Sequence, residues 1–299
     1  MLNHSNNRWA SAAVACITTL VMVSMLATMP ASAQSAAAEP VLTFAVIGDA
    51  EPKPKAEFPG LSAAVDALNA MARTRNIEMV FGVGDLPHKA TDIQYENLTS
   101  VLKALELPFY PIMGNEEFND TQEKFLKYAQ SWGNRPEPID AIRYVVEHPV
   151  ATFILASPDL DGREFTDEGV VWIKEQLAHQ PEQSKFLFVH GAQVGIFPEG
   201  GSKGTNNPNF PGLSDHESLA VIFSGDLHMD IHRVDGIVEH QDVEHVHVPA
   251  LERTKLPDES FHRPYFRVIT LYDDRLGVIE TIDAKTGQTL PRFTYQFTY

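Results

Sequence analysis

The sequence predicts an α/β fold built around a parallel sheet. In the first half of the chain, apolar runs of strand length alternate with segments whose apolar residues recur at helical spacing. Continuous apolar runs are typical of strands buried on both faces, as in a parallel sheet covered by helices. Five of these runs also end in an Asp, Asn or His, which suggests that one edge of the sheet carries a functional site.

The first half supplies three strands and two helices. The apolar run 41–50 predicts a first strand, and Leu61 to Met71 repeat apolar residues at helical spacing. Residues 77–85 predict a second strand, residues 91–106 a second helix, and residues 107–115 a third strand. This order of strand, helix, strand, helix and strand is the alternation expected of parallel strands joined by crossover helices.

The second half continues the pattern less regularly. Residues 143–157 predict two short strands, and Thr166 is placed to cap the helix that follows. Two further strands are predicted at 184–191 and 219–228, joined by a long loop rich in Gly, Pro and Asn. From about residue 229 the chain predicts mostly short alternating strands, and its alternating histidines, including His245 and His247, are interpreted as one solvated strand face.

The N-terminus predicts a signal peptide over residues 1–33. Arg8 precedes a long uncharged run, and the small-residue pattern Ala-Ser-Ala ends at Ala33. An uncleaved anchor helix is the alternative for this segment. We therefore expect an exported protein, periplasmic or secreted, with a single domain over residues 34–299 and no membrane segment after cleavage.

Composition limits what the mature chain can bind. The 23 basic and 40 acidic residues give a formal net charge of −17, and removal of Arg8 makes it −18. Such a charge argues against nucleic acid and anionic membrane surfaces as partners. The only cysteine, Cys16, lies in the predicted signal peptide, so a metal site would use His, Asp, Glu or Asn.

The chain resembles the calcineurin-like metallophosphoesterase family in the motifs at its strand ends. That family carries Asp-x-His, Gly-Asp, Gly-Asn-His-Asp/Glu, a single His, and Gly-His-x-His in this order, on a two-sheet αββα sandwich. The corresponding segments here read GDAE (48–51), GVGDLPH (82–88), GNEE (114–117), FVHG (188–191) and SGDLH (224–228). The likeness covers nearly all of the predicted mature chain.

The resemblance implies a site for two metals, held by ligands that match the motifs residue by residue. The first metal would bind Asp49, Glu51, Asp85 and His228. Asp85 would bridge to a second metal that is held by Asn115, His190 and Asp226. The residues implied for catalysis are Asp85, Glu116 and His190. The resemblance further implies a small phosphoester substrate, a phosphomonoester or phosphodiester, that is hydrolysed by a hydroxide generated on the metals.

Three histidines of the family pattern are acids in this chain, at Glu51, Glu116 and Asp226. Oxygen ligands favour harder ions, so two divalent or mixed-valence ions, with manganese or iron ahead of zinc, are expected. The ligand set would carry a charge of about −4, against about −2 for the family pattern. This charge favours a trivalent ion, a less anionic substrate such as a diester, or a site that no longer transfers phosphoryl groups.

Two alternatives to a phosphoesterase follow from the same residues. Glu116 replaces the motif histidine that contacts substrate, which favours a catalytically silent relative that binds metal or a small ligand. His88, three residues after Asp85, is a candidate to replace the missing acid, and the alternative is a histidine in an exposed loop. An α/β-hydrolase esterase is disfavoured, because the sequence contains no G-x-S-x-G nucleophile elbow. The oligomeric state is not predicted by the sequence.

Overall fold

A computed structural model describes residues 38–259 and 261–299. The predicted signal peptide lies outside these residues and stays a prediction. Four α-helices occur in the described ranges, namely α1 (Pro59–Arg75), α2 (Asp92–Leu102), α3 (Gln122–Ala129) and α4 (Asp167–Ala178). The strands are β1 (Pro40–Ile47), β2 (Ile77–Gly82), β3 (Phe109–Pro111), β4 (Arg143–Glu147), β5 (Thr152–Ala156), β6 (Lys185–Phe188), β7 (Leu219–Ser224), β8 (Ile237–His240), β9 (Val243–His247), β10 (Tyr265–Tyr272), β11 (Leu276–Asp283), β12 (Gln288–Thr289) and β13 (Tyr295–Thr298).

The strands form two mixed sheets. The first has the order β12-β11-β10-β1-β2-β3, with β13 also paired to β11, and the second has the order β4-β5-β6-β7-β9-β8. Strands β1, β2 and β3 are parallel to one another, as are β5, β6, β7 and β9. The site residues follow strands from both parallel sets, so their carboxyl ends supply the site.

The core has three apolar layers. Alternate residues of the first sheet pack against α1, α2 and α3, and the other face of that sheet packs against the second sheet. The outer face of the second sheet packs against α4. This arrangement confirms the predicted two-sheet αββα sandwich. It explains the continuous apolar runs, because a strand buried on both faces has no polar alternation.

The C-terminal segment differs from its prediction. Strand β10 pairs antiparallel with β1, with Ala45 opposite Val268, and seven of its eight residues are buried. It is therefore a central strand of the first sheet and not a short alternating one. Helix α3 was not predicted, and it covers the first sheet through Phe125. In the part of the chain that the structure describes, no helix is both long and apolar enough to cross a membrane.

Candidate metal centre

The predicted ligands converge at the carboxyl ends of five strands from the two sheets. Asp49 and Glu51 follow β1, Asp85 follows β2, and Asn115 follows β3. His190 follows β6, and Asp226 and His228 follow β7. All of these side chains are buried except that of Asn115, which is partly exposed. A group of buried ionisable side chains needs partners, because an unpaired charge is costly in the interior.

The backbone conformation at four of these residues directs their side chains towards the site. Asp49, Asp85, Asp226 and His228 have φ angles of 50°, 52°, 64° and 49°, in the left-handed region. This conformation turns the chain sharply away from the strand that it has just left. Gly114 is required for a different reason: a Cβ at this position would collide with the carboxylate of Asp85.

The two histidines are oriented in the same way. The Nδ1–H of His190 donates to the carbonyl oxygen of Val83, and that of His228 donates to the carbonyl oxygen of Arg253, each at 2.7 Å. These bonds fix the tautomer and turn each Nε2 towards the carboxylates. His190 Nε2 lies 3.3 Å from Asp85 Oδ1, and His228 Nε2 lies 3.4 Å from Glu51 Oε1.

The carboxylates change the protonation of His190. Burial alone would lower its pKa, but the charge and hydrogen bond of Asp85, with the charge of Asp226, outweigh burial and raise the pKa to about 10. The imidazole therefore reports a strongly negative field at the centre of the site. A cation bound among the same carboxylates would satisfy that field.

Four basic side chains, none of them expected from the sequence, reach the site. Three of them surround Glu51: Lys53 Nζ lies 2.6 Å from Oε2, and Lys255 Nζ and Arg253 Nη2 lie 2.9 Å and 3.2 Å from Oε1. Burial would raise the pKa of Glu51, but the hydrogen bond with Glu116, the charge of Lys255 and the hydrogen bond from Lys53 outweigh burial and hold this pKa well below its ordinary value.

The fourth basic side chain is Arg163. Its Nε and Nη2 donate to Oδ2 and Oδ1 of Asp226 at 2.6 Å and 2.7 Å, a bidentate pair. Burial would raise the pKa of Asp226, but the Arg163 hydrogen bond and the charge of His190 lower it to about 2. Asp226 is thus ionised near neutral pH, and both of its oxygens accept a hydrogen bond from Arg163.

Glu116 and Glu117 have different positions in spite of being neighbours. Glu116 accepts hydrogen bonds from the backbone N–H of Lys89 at 2.7 Å and from His88 Nδ1 at 2.9 Å, and Lys53 lies 3.3 Å away. Glu117 is fully buried and accepts from three backbone N–H groups, those of Asp85, Leu86 and Gly114. Glu117 therefore joins the segments that follow β2 and β3.

The donor chemistry fits a bound cation. Three groups have ligand atoms within 4.8 Å of one another: Asp49, Asp85 and His190; Glu51, Asp85 and His228; and Glu51, His88 and Glu116. Asp85 belongs to two of the groups, the position expected of a bridging ligand. Asp49 Oδ2 is buried and has no hydrogen-bond partner in the protein. Carboxylates and imidazole are both common ligands of divalent metal ions.

A comparison with protein families identifies the class of protein. The model of the calcineurin-like phosphoesterases matches residues 42–230, which contain every motif described above. The chain therefore belongs to the calcineurin-like phosphoesterase family.

One curated relative is a probable glycerophosphodiester phosphodiesterase, GpdQ, of Arcobacter nitrofigilis. It is 24% identical over 123 residues, a stretch that covers 40% of this chain and 43% of the relative. The chain thus aligns with less than half the length of that protein.

Solved structures share the fold at low sequence identity. GAP50, described as the anchor in the inner membrane complex of Plasmodium, has a TM-score of 0.62 at 15% identity, covering 87% of this chain and 89% of GAP50. Purple acid phosphatase PPD1 from yellow lupin seeds has a TM-score of 0.61 at 16% identity, covering 86% of this chain and 53% of PPD1. Both agree with the two-sheet architecture.

Proposed function

We propose that this chain is a metal-dependent phosphoesterase that hydrolyses a small phosphodiester. The observation that carries the proposal is the convergence of Asp49, Asp85 and His190, all buried, with their ligand atoms within 4.8 Å of one another. Membership of the phosphoesterase family and the likeness to a probable glycerophosphodiester phosphodiesterase support the reaction class.

The charge of the site favours a diester over a monoester. Its five carboxylates, Asp49, Glu51, Asp85, Glu116 and Asp226, are matched by four basic side chains, Lys53, Arg163, Arg253 and Lys255. A site so nearly neutral has little surplus positive charge once a divalent cation is bound. A phosphodiester carries one negative charge, whereas a monoester carries about two near neutral pH, so the diester is repelled less by the carboxylates.

Hydrolysis also needs a proton for the leaving group, and His88 is placed to supply it. Its Nδ1 lies 2.9 Å from Glu116 Oε2, and its side chain is one-fifth exposed. Glu116 orients the ring through Nδ1, so Nε2 is the nitrogen that would donate the proton. A cation bound at Asp49, Asp85 and His190 would supply Lewis-acid polarisation of the phosphoryl group and a more acidic water.

Hydrolysis of chromogenic substrates tests the proposal. Residues 34–299 loaded with Mn²⁺ should hydrolyse bis(p-nitrophenyl) phosphate faster than p-nitrophenyl phosphate. Asp85→Asn should abolish turnover and weaken Mn²⁺ uptake, because Asn tolerates the left-handed backbone but removes the shared charge. Asp66→Asn, an exposed change on α1, is the matched control. A preference for the monoester would exclude the diester part of the proposal.

A second candidate is a catalytically silent protein that binds a metal or a small ligand. The contacts of Glu51 with Lys53, Arg253 and Lys255 favour it, since they occupy a predicted metal ligand with protein cations. In that case the Mn²⁺-loaded chain takes up metal but hydrolyses neither substrate, and Asp85→Asn changes only the metal uptake.

We also propose that the protein is exported through the signal peptide predicted at residues 1–33. Expression of the full chain in a bacterium should yield a periplasmic or secreted product. Its intact mass should correspond to a chain that begins at Gln34. Recovery of uncleaved chain from the membrane fraction would instead indicate an anchor.

A further inference from the structure

Two of the three candidate metal groups already hold a lysine ammonium. Lys255 Nζ lies 2.9 Å from Glu51 Oε1 and 2.9 Å from His228 Nε2, two members of one group. Lys53 Nζ lies 2.6 Å from Glu51 Oε2 and 3.3 Å from Glu116 Oε1, two members of another. Each lysine therefore places a positive charge where the shared carboxylates would otherwise attract a metal ion.

The lone pair of His228 is occupied in this arrangement. Because its Nδ1–H donates to the carbonyl oxygen of Arg253, Nε2 is the acceptor nitrogen of the ring. Lys255 is a donor without an acceptor atom, so its ammonium takes the Nε2 lone pair at 2.9 Å. A metal ion needs that same lone pair, and it can bind His228 only after Lys255 leaves.

The remaining group, formed by Asp49, Asp85 and His190, has no such partner. Within the described residues, no lysine or arginine lies within ion-pair distance of any of its three members. His190 Nδ1–H donates to Val83, as His228 does to Arg253, but the atoms nearest to His190 Nε2 are acceptor oxygens. No protein cation therefore competes for this nitrogen, so a metal ion can bind there by displacing its proton, and the unpartnered Asp49 Oδ2 is an open donor beside it.

Arg163 removes a further ligand from the second-metal position. Both oxygens of Asp226 accept hydrogen bonds from the Arg163 guanidinium, and Asp226 belongs to none of the three groups. The acid that replaces the family's histidine at this position thus anchors a protein cation. At both Glu51 and Asp226, an acid that stands at a metal-ligand position of the family pattern instead forms an ion pair with a basic side chain of the protein.

We propose that this chain binds one divalent cation, at Asp49, Asp85 and His190, and that Lys255 takes the place of the cation that the family pattern would hold at Glu51 and His228. The inference rests on the metal binding assumed in the proposed function. It replaces the two metals expected from the sequence with one metal and a protein ammonium, and it makes Lys255 the residue that sets the stoichiometry.

Titration with Mn²⁺ tests the stoichiometry. Isothermal titration calorimetry of residues 34–299, with elemental analysis after gel filtration, should give one Mn²⁺ per chain. Lys255→Met should raise this to two, because it frees the Nε2 lone pair of His228 and removes one of the three cations around Glu51. Lys255→Arg keeps the positive charge and should stay at one. Lys124→Met, which breaks the ion pairs with Asp92 and Asp120 outside the site, should also stay at one.

The two histidines provide a matched pair of variants. Both are fully buried and both donate through Nδ1 to a backbone carbonyl at 2.7 Å, so His190→Gln and His228→Gln disturb the fold alike. We expect His190→Gln to weaken Mn²⁺ binding by about tenfold or more, and His228→Gln by less than about threefold. This comparison holds even if Lys255→Met fails to fold.

Several outcomes would overturn the inference: two Mn²⁺ on the unchanged chain, none on it, or a larger loss in His228→Gln than in His190→Gln. A folded Lys255→Met that still binds one ion would also do so. These readouts are independent of turnover. Hydrolysis with two Mn²⁺ per chain supports the proposed function and excludes this inference, whereas one Mn²⁺ without hydrolysis does the reverse.

Discussion

Glu117 links the backbone segments that carry the candidate metal ligands. Its carboxylate accepts from the N–H groups of Asp85, Leu86 and Gly114 at 2.9–3.0 Å. Burial and the charge of Asp85 raise its pKa, to about 8, and the amide hydrogen bonds from Leu86 and Gly114 oppose this rise. The residue does not face a metal, yet the positions of Asp85 and Asn115 depend on it.

Glu117→Gln should therefore destabilise the fold. A glutamine amide has one acceptor oxygen, so at least one of the three buried N–H groups would lose its partner. We expect the free energy of unfolding to fall by about 1–3 kcal/mol in urea titrations. Glu96→Gln, an exposed change on α2, should stay within about 0.5 kcal/mol of the unchanged chain. Equal stability of the two variants would show that Glu117 has no such structural part.

Varying the leaving group of the substrate should distinguish the roles of His88 and Glu116. If His88 protonates the leaving group, His88→Asn should slow an alkyl phosphodiester by about 100-fold or more. It should slow a p-nitrophenyl diester much less, because p-nitrophenolate leaves without a proton. Glu116→Gln should give a smaller loss with the same dependence, since it only orients the ring. A larger loss in Glu116→Gln than in His88→Asn would make Glu116 itself the acid.

At the scale of single elements, β9 shows where an alternating pattern misled. His245 and His247 were interpreted as a solvated strand face, but both are buried in the second sheet. Burial, with the charge of His240, lowers the pKa of His245 to about 4, and burial with the charge of Arg267 lowers that of His247 to about 3. The alternation correctly predicted a strand. Whether a face of that strand is buried depends on segments far away in the sequence, which the local pattern does not show.

The two buried histidines should make the fold sensitive to acid. The unfolded chain takes up protons at these residues below about pH 6.5, whereas the folded chain keeps them neutral. Their contribution to stability is therefore fully present above pH 6.5. It should be lost as the pH falls towards 4, at up to about 1.4 kcal/mol per pH unit for each histidine.

Urea titrations between pH 7.5 and 5 measure this dependence. His245→Gln should reduce the slope of the free energy of unfolding against pH, and the exposed His179→Gln should leave it unchanged. An identical slope in both variants would contradict the assignment of His245 as a buried neutral residue.

At the scale of the whole molecule, an aromatic cluster holds the two sheets together. Phe44 and Phe81 of the first sheet meet Phe153 of the second, with ring centroids 5.1 Å and 4.7 Å from that of Phe153. Phe81 also stacks on Phe188 at 4.4 Å. Because strands of both sheets end at the metal centre, this contact between the sheets fixes the distance between the two halves of the site.

Phe153→Ala should lower the free energy of unfolding by about 3–5 kcal/mol. The substitution leaves a cavity between the two sheets, and the sheets cannot close over it. Val171→Ala, on the exposed face of α4, is the control and should change little. Urea titrations measure both variants. A loss below 1 kcal/mol for Phe153→Ala would show that the sheets close over the cavity.

The strands, and the convergence of the candidate ligands at their ends, could be predicted because the signals are local. Each ligand directly follows an apolar run, and a strand end places its next residue at the sheet edge whatever the rest of the chain does. The basic residues of the site could not be predicted in this way. Arg163 lies in the turn before α4, and Lys255 lies in irregular chain after β9. No periodicity directs these side chains, and only tertiary packing brings them to Asp226 and Glu51.

The left-handed backbone at Asp49, Asp85, Asp226 and His228 sets the demands of folding against those of binding. Glycine or asparagine is the residue that folding alone would favour at such positions. A library randomised at these four positions and sorted only for heat resistance should drift towards those two residues and lose its ligands. The same library sorted for Mn²⁺ uptake should keep the acids at Asp49 and Asp85. Selection for stability and selection for metal uptake therefore favour different residues at the same four positions.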